Sequence, residues 1–167
     1  MKKTVMAAIG LMTILILFPF GVSGAPAYDS GKSFRDVEEK EWILEELRTD
    51  GKTVYMDRKK LEAEGLGGVY TIIFRGSDDT RGAQVSGLGA PNRYFGPYTS
   101  DSNRSLSFGN LATTMMASFR EPDGLKESDY LGYLTKVTRW DLREGKLELY
   151  SSDNNGGAAI LVFVYKL

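Results

Sequence analysis

Ser86-Gly-Leu-Gly-Ala-Pro-Asn-Arg-Tyr-Phe-Gly-Pro-Tyr98 is rich in glycine and aromatics, and Leu111-Ala-Thr-Thr-Met-Met-Ala-Ser118 follows it after a short spacer. Working outward, Gln84-Val85-Ser86 has the composition of a short strand leading in. Tyr94 to Tyr98 sets aromatics on both sides of Gly96-Pro97, and Ser105-Leu-Ser-Phe108 alternates polar and apolar. Upstream, Val69 to Phe74 is β-branched and aromatic and predicts a strand; Gly76 to Gly82 reads as a loop. Downstream, Lys126 to Thr135 carries Glu127, Tyr130, Leu131 and Leu134 at helical spacing, with the three apolar residues facing a sheet. Thr138, Trp140 and Leu142 then alternate with Arg139, Asp141 and Arg143. Glu144-Gly145 joins that strand to Lys146–Tyr150, with Leu147 and Leu149 inward, as a hairpin. Ser152 to Gly157 turns the chain, and Ala158 to Tyr165 closes it as an apolar strand covered on both faces. Short strands at short spacing predict a curled antiparallel sheet or small barrel, whose closure removes exposed edges.

Asn-Arg-Tyr-Phe-Gly at 92–96, Thr-x-Met-Ala at 114–117, Tyr-Leu-x-x-Leu at 130–134 and a Leu-x-Leu hairpin at 147–149 occur in order. In this the chain resembles the META domain family, which includes the HslJ-like heat-shock proteins of bacterial envelopes. The resemblance spans roughly Phe34 to Tyr165. It implies a mainly β fold: a small antiparallel, partly closed lipocalin-like β-barrel with one or two short helices. It also bears on Phe34 to Arg48, where helix formers and a capping Ser33 argue for a helix. META domains open with a Trp-x-Leu strand, matched by Trp42 and Leu44, so a strand is expected from about Trp42 and any helix within 34–40. Asp50-Gly51 then turns into Thr53-Val54-Tyr55, and Asp57 to Gly68 is a surface loop or short helix. Family members often carry Cys where this chain has Pro91 and Ser118, so no disulfide or redox role of relatives carries over.

Lys2 and Lys3 precede the apolar run Val5 to Phe20, and small residues follow through Ala27. That order predicts a secretory signal peptide over 1–27, a flexible lead over 28–33 and one domain over 34–167. The run is shorter than the ~20 residues of a usual membrane span, so no stable span is expected after cleavage. Loss of residues 1–27 leaves 19 basic and 22 acidic residues, a net charge of −3. Basic residues are scattered, which argues against nucleic-acid binding. The chain has no Cys and no His. Disulfides, Ser-His-Asp and Cys-His nucleophiles, and imidazole or thiolate metal sites are therefore excluded.

Gly89, Asn92, Arg93, Tyr94, Phe95, Gly96, Tyr98, Thr113, Met115, Met116 and Ala117 form the family motif and are read mainly as structure. Asn92 either offers its amide to a ligand or caps backbone groups in a turn. Arg93, Tyr94, Phe95 and Tyr98 are the candidate contacts for a ligand or partner. Asp78-Asp79, Asp101 and the 153–157 segment lack the ligand spacing of a calcium loop. No catalytic residue, metal or cofactor is assigned. The expectation is a non-enzymatic protein of the periplasm or secreted fraction, with a stress or integrity role implied by resemblance and acting on a protein or envelope component. The alternative is a carrier of a small apolar ligand, which needs a barrel void lined by residues such as Phe74, Phe108 and Trp140.

Overall fold

The computed structural model describes residues 31–78, 80–116 and 121–166. The expected leader, residues 28–30 of the lead, Asp79, Ala117 and Ser118 lie outside that range. Ser33 already belongs to the folded part. Its Oγ accepts from Arg35 N, and Asp36 accepts from Ser33 N at 2.8 Å, capping a 3-10 turn at Phe34–Asp36. The helix-forming stretch after it is nonetheless a strand, because Trp42, Leu44 and Leu47 bury their side chains in a sheet. Tertiary burial outweighs intrinsic helix preference here.

The strands are β1 (Glu41–Thr49), β2 (Lys52–Tyr55), β3 (Thr71–Arg75), β4 (Gln84–Leu88), β5 (Arg93–Ser100), β6 (Leu106–Phe108), β7 (Ala112–Thr113), β8 (Arg139–Arg143), β9 (Lys146–Ser152) and β10 (Ala158–Tyr165). Two helices accompany them, α1 (Arg58–Ala63) and α2 (Glu127–Leu134). All pairings are antiparallel, in the order β6-β5-β4-β3-β1-β10-β9-β8, with β2 on β1 and β7 on β5. The two ends of this order meet. Leu106 N donates to Thr138 O at 3.1 Å and Trp140 N to Arg104 O at 3.0 Å, so the sheet is a nearly closed barrel.

Two strands divide their pairing. β1 pairs with β3 over Glu41–Ile43 and with β2 over Glu46–Thr49, with an irregularity between Leu44 and Glu46. Arg58 of α1 donates to Leu44 O, between the β3-paired and β2-paired stretches of β1, and at 3.0 Å to Val69 O just before β3, satisfying carbonyls outside the ladder. β5 pairs with β7 at Tyr94–Phe95 and with β6 at Tyr98–Ser100. Pro97, which has no N–H to give, lies between those two stretches.

The expected start of β3 at Val69 moves to Thr71. Tyr70 has a left-handed φ of 57°, which turns its buried hydroxyl to Leu125 O at 2.6 Å. The Glu144-Gly145 hairpin turn has both residues left-handed, at φ 50° and 77°, matching the twist of its strands. Inside, Trp140, Leu142, Leu147, Leu149, Leu161 and Phe163 are buried from β8 to β10. Each such side chain contributes about 1.5–3 kcal/mol through loss of apolar surface.

Candidate functional site

The motif hairpin β4–β5 has an inner and an outer face. Alternation along β5 buries Tyr94, Gly96 and Tyr98 and exposes Arg93, Phe95 and Pro97. The four candidate contacts are thus split: Tyr94 and Tyr98 are core, while Arg93 and Phe95 face outward.

On the inner side, Tyr94 OH donates to Thr71 O at 2.8 Å and lies 3.1 Å from Tyr130 OH. Burial pushes both hydroxyls above the ordinary tyrosine range. Tyr98 OH donates to Glu38 Oε1 at 2.6 Å, and burial followed by that acceptor raises it as well. Gly96 faces inward where the chain before β7 crosses, and a Cβ there would stand 2.7 Å from Asn110 O.

The turn before β5 is tied to α2. Glu127 Oε1 accepts from Ala90 N and Asn92 N, both at 2.6 Å, and its Oε2 accepts from Asn92 Nδ2 at 2.6 Å. Gly89 makes room for this carboxylate, since a Cβ would come within 2.4 Å of Oε1. Asn92 Oδ1 accepts from Met116 N at 2.7 Å and Thr114 Oγ1 at 3.0 Å. The Asn92 side chain therefore bridges three segments, and its polar atoms are engaged by protein. Thr113 sits in β7 opposite Tyr94. Met115 and Met116 project beyond it, 99% and 61% exposed.

The outer face is a groove of about 470 Å³. Ile73, Ser86 and Phe95 line up across β3, β4 and β5, with Leu88 and Arg93 paired beside them. Phe95 is 55% exposed. Arg75 donates to Ser86 Oγ at 3.1 Å, and Lys166 pairs with Glu41 at 2.8 Å on the far rim. Among the described residues, the Arg93 guanidinium has no hydrogen-bond or ion-pair partner.

Other expected sites resolve differently. Phe74 and Phe108 pack in the core, whereas Trp140 lines, with Phe34 and Arg104, an open cavity of about 470 Å³ at the barrel end. Phe34 enters the barrel end and packs on Phe74 at 5.1 Å and Trp140 at 5.0 Å, and Phe74 stacks on Phe108 at 6.0 Å. The 3-10 turn thus fills the space between Phe74 and Trp140 with Phe34, an interior contact that the strands alone do not reveal. Asp78, Asp101 and Asp153 each accept backbone N–H groups of their own turns. Hydrogen bonds from Thr80 hold the Asp78 carboxyl below its usual range. Among the described residues, no group of three or more acids is placed to hold a metal. No described helix is long and apolar enough to cross a membrane.

Sequence reasoning missed an ionic ribbon on the outer face of β8, β9, β10 and β1. Asp141, only 1% exposed, pairs with Arg104 and, at 2.7 Å, with Arg143 Nε. Arg48 joins Glu148 at 3.2 Å to Glu46, and Tyr150 OH donates to Glu148 at 2.7 Å. Asp141 stands opposite Glu148 in the β8–β9 register, and Glu148 and Glu46 both register with Val162. That register was the available signal, but Arg104, Arg48 and Glu46 arrive from distant segments.

A family model described as META domain matches residues 35–162. The NMR structure of a protein from Burkholderia xenovorans is similar at TM-score 0.60 and 25% sequence identity, covering 89% of this chain and 97% of its own. The crystal structure of a DUF4847 family protein from Bacteroides vulgatus shares the fold at TM-score 0.51 and 10% identity, covering 80% of this chain and 96% of its own. No curated protein matches this chain.

Proposed function

The chain belongs to the META domain family, and on that premise we propose that it is a non-enzymatic exported protein, an envelope stress or integrity factor that acts by contact through its outer groove. One observation carries this reading. The motif's inward residues are engaged in packing and hydrogen bonds, whereas Arg93 and Phe95 face outward and, among the described residues, no ion pair or ring contact uses either side chain. Arginine set beside an exposed aromatic ring matches the composition of binding hot spots, which favour Arg and aromatic side chains. Export is supported by Lys2, Lys3 and the apolar run Val5 to Phe20. A non-catalytic role is supported by the lack of His and Cys across the sequence, which removes the commonest bases and nucleophiles.

The test is complementation. Cells lacking the gene would be given the wild-type chain or the Arg93→Glu/Phe95→Ser double variant and scored for survival of heat and envelope stress. The double variant is expected to accumulate normally, fractionate with the envelope or medium as the wild type does, and fail to restore survival. Full restoration would overturn the contact role, and recovery of the wild type only from the cytoplasm would overturn export.

A further inference from the structure

The chemistry of the groove narrows the class of its partner, an inference that rests on the contact role proposed above. We propose that the groove seats an anionic phospholipid, with the phosphate at the rim formed by Arg75 and Arg93 and acyl carbons against Ile73, Leu88 and Phe95.

Charge points to an anion. The lining holds Arg75, Arg93 and Lys166 against the single acid Glu41, in a chain whose formal net charge is −1. Lys166 is already neutralised by Glu41, and among the described residues the Arg75 guanidinium donates only to the neutral Ser86 hydroxyl. Among the described residues, two guanidinium groups therefore face solvent without an acid, and planar guanidinium forks match phosphate oxygens.

The floor points to an amphiphile. Ile73 and Leu88 are half-buried between the two rims, and Phe95 stands exposed at one side. Met115 and Met116 extend the apolar surface past Arg93, held close by the bonds of Thr114 and Met116 to Asn92. Flexible thioether side chains suit irregular acyl contacts. A volume of about 470 Å³ lies within the range of small-ligand clefts.

The backbone argues against a peptide. β3 is paired on both sides by β1 and β4, and β4 by β3 and β5, so the groove floor offers no free strand edge for a peptide to extend. Nucleic acid is disfavoured because two unpaired cations are too few to track a phosphate chain. A lipid needs neither an edge nor a row of charges.

Amide chemical-shift mapping on the isotope-labelled full chain tests the inference at the site itself, apart from any binding by residues 5–20. The probes are dihexanoyl phosphatidylglycerol below its micelle concentration, dihexanoyl phosphatidylcholine, and glycerol phosphate alone. Saturable shifts at Ile73, Ser86, Leu88 and Phe95 are expected with the anionic lipid. Arg93→Glu should weaken them roughly tenfold, the scale of one lost charge-assisted contact. The zwitterionic lipid should bind much more weakly, which shows the need for net charge, and glycerol phosphate likewise, which shows the need for acyl chains. An equal response to phosphatidylcholine, or an equal response to glycerol phosphate, would overturn the proposal. Silent groove amides with phosphatidylglycerol would overturn it too. If the double variant then still failed to complement, the contact role would survive without lipid; if it complemented fully, both would fall.

Discussion

The outer face of β8, β9, β10 and β1 and the outer face of β3, β4 and β5 belong to one barrel and obey the same alternation, yet they treat charge in opposite ways. On the first, three acids and three arginines close on one another, Asp141 is nearly inaccessible, and Val162 beneath them is fully buried. On the second, Arg93 and Arg75 have no acid partner among the described residues and Phe95 stays half in water. A face that satisfies its own charges is acting as wall. A face that leaves cations and an aromatic unmatched is available to something else.

Alkali is expected to break both faces together, because it attacks the packing they share. The hydroxyls of Tyr70, Tyr94, Tyr98 and Tyr130 are all raised, burial being the largest cause in each. The folded chain holds these protons more tightly than the unfolded chain. Their stabilisation is whole below about pH 10, the unfolded tyrosine value, and is lost as pH climbs beyond it. Arg58 opposes the trend: burial lowers its guanidinium to about 10, so the cost of its buried charge eases over the same window. Four tyrosines against one arginine should give net unfolding. Urea midpoints followed upward in pH, with tyrosinate absorbance recorded alongside, check this; a midpoint that stays level above pH 10 would count against the buried hydroxyls.

Asp141→Ala breaks the ribbon alone. It strands Arg104 and Arg143 beside a lost carboxylate, and the expected destabilisation is about 3–5 kcal/mol in urea unfolding. A loss within the range of an ordinary surface change would show that the ribbon is ornamental. Glu127→Ala releases Ala90 N, Asn92 N and the Asn92 amide at once. Its cost is expected at about 1.5–3 kcal/mol, with faster amide exchange at Asn92 and Met116 and unchanged exchange in β9. Spreading of that effect into β9 would mean the two faces are less independent than the hydrogen bonds indicate.

Much of the wall was legible in the sequence, and less of the groove. Period-two alternation at 138–149 and the Glu144-Gly145 turn give β8 and β9 because each is a local property of the chain. The spacing of Tyr130 and Leu134 likewise gives α2. The handover of β1 from β3 to β2 was not legible, since Arg58 from another element satisfies the Leu44 and Val69 carbonyls there. The burial of Asp141 was not legible either, because a charge on an outward face is buried only when partners from other strands cover it. Arg93, Tyr94, Phe95 and Tyr98 read as one contact set because Gly96-Pro97 disguises a strand. Once β5 is seen to run through that pair, alternation alone sends Tyr94 and Tyr98 inward and Arg93 and Phe95 out.

The smallest expected effect is also the most direct measurement of the division between wall and groove. Urea unfolding of the Arg93→Glu/Phe95→Ser double variant should give a free energy within roughly 0.5–1 kcal/mol of the wild type, with an unchanged slope, as surface substitutions outside the packing do. A loss of several kcal/mol would show that these two side chains hold the barrel together, and would contradict the assignment of the outer face to binding.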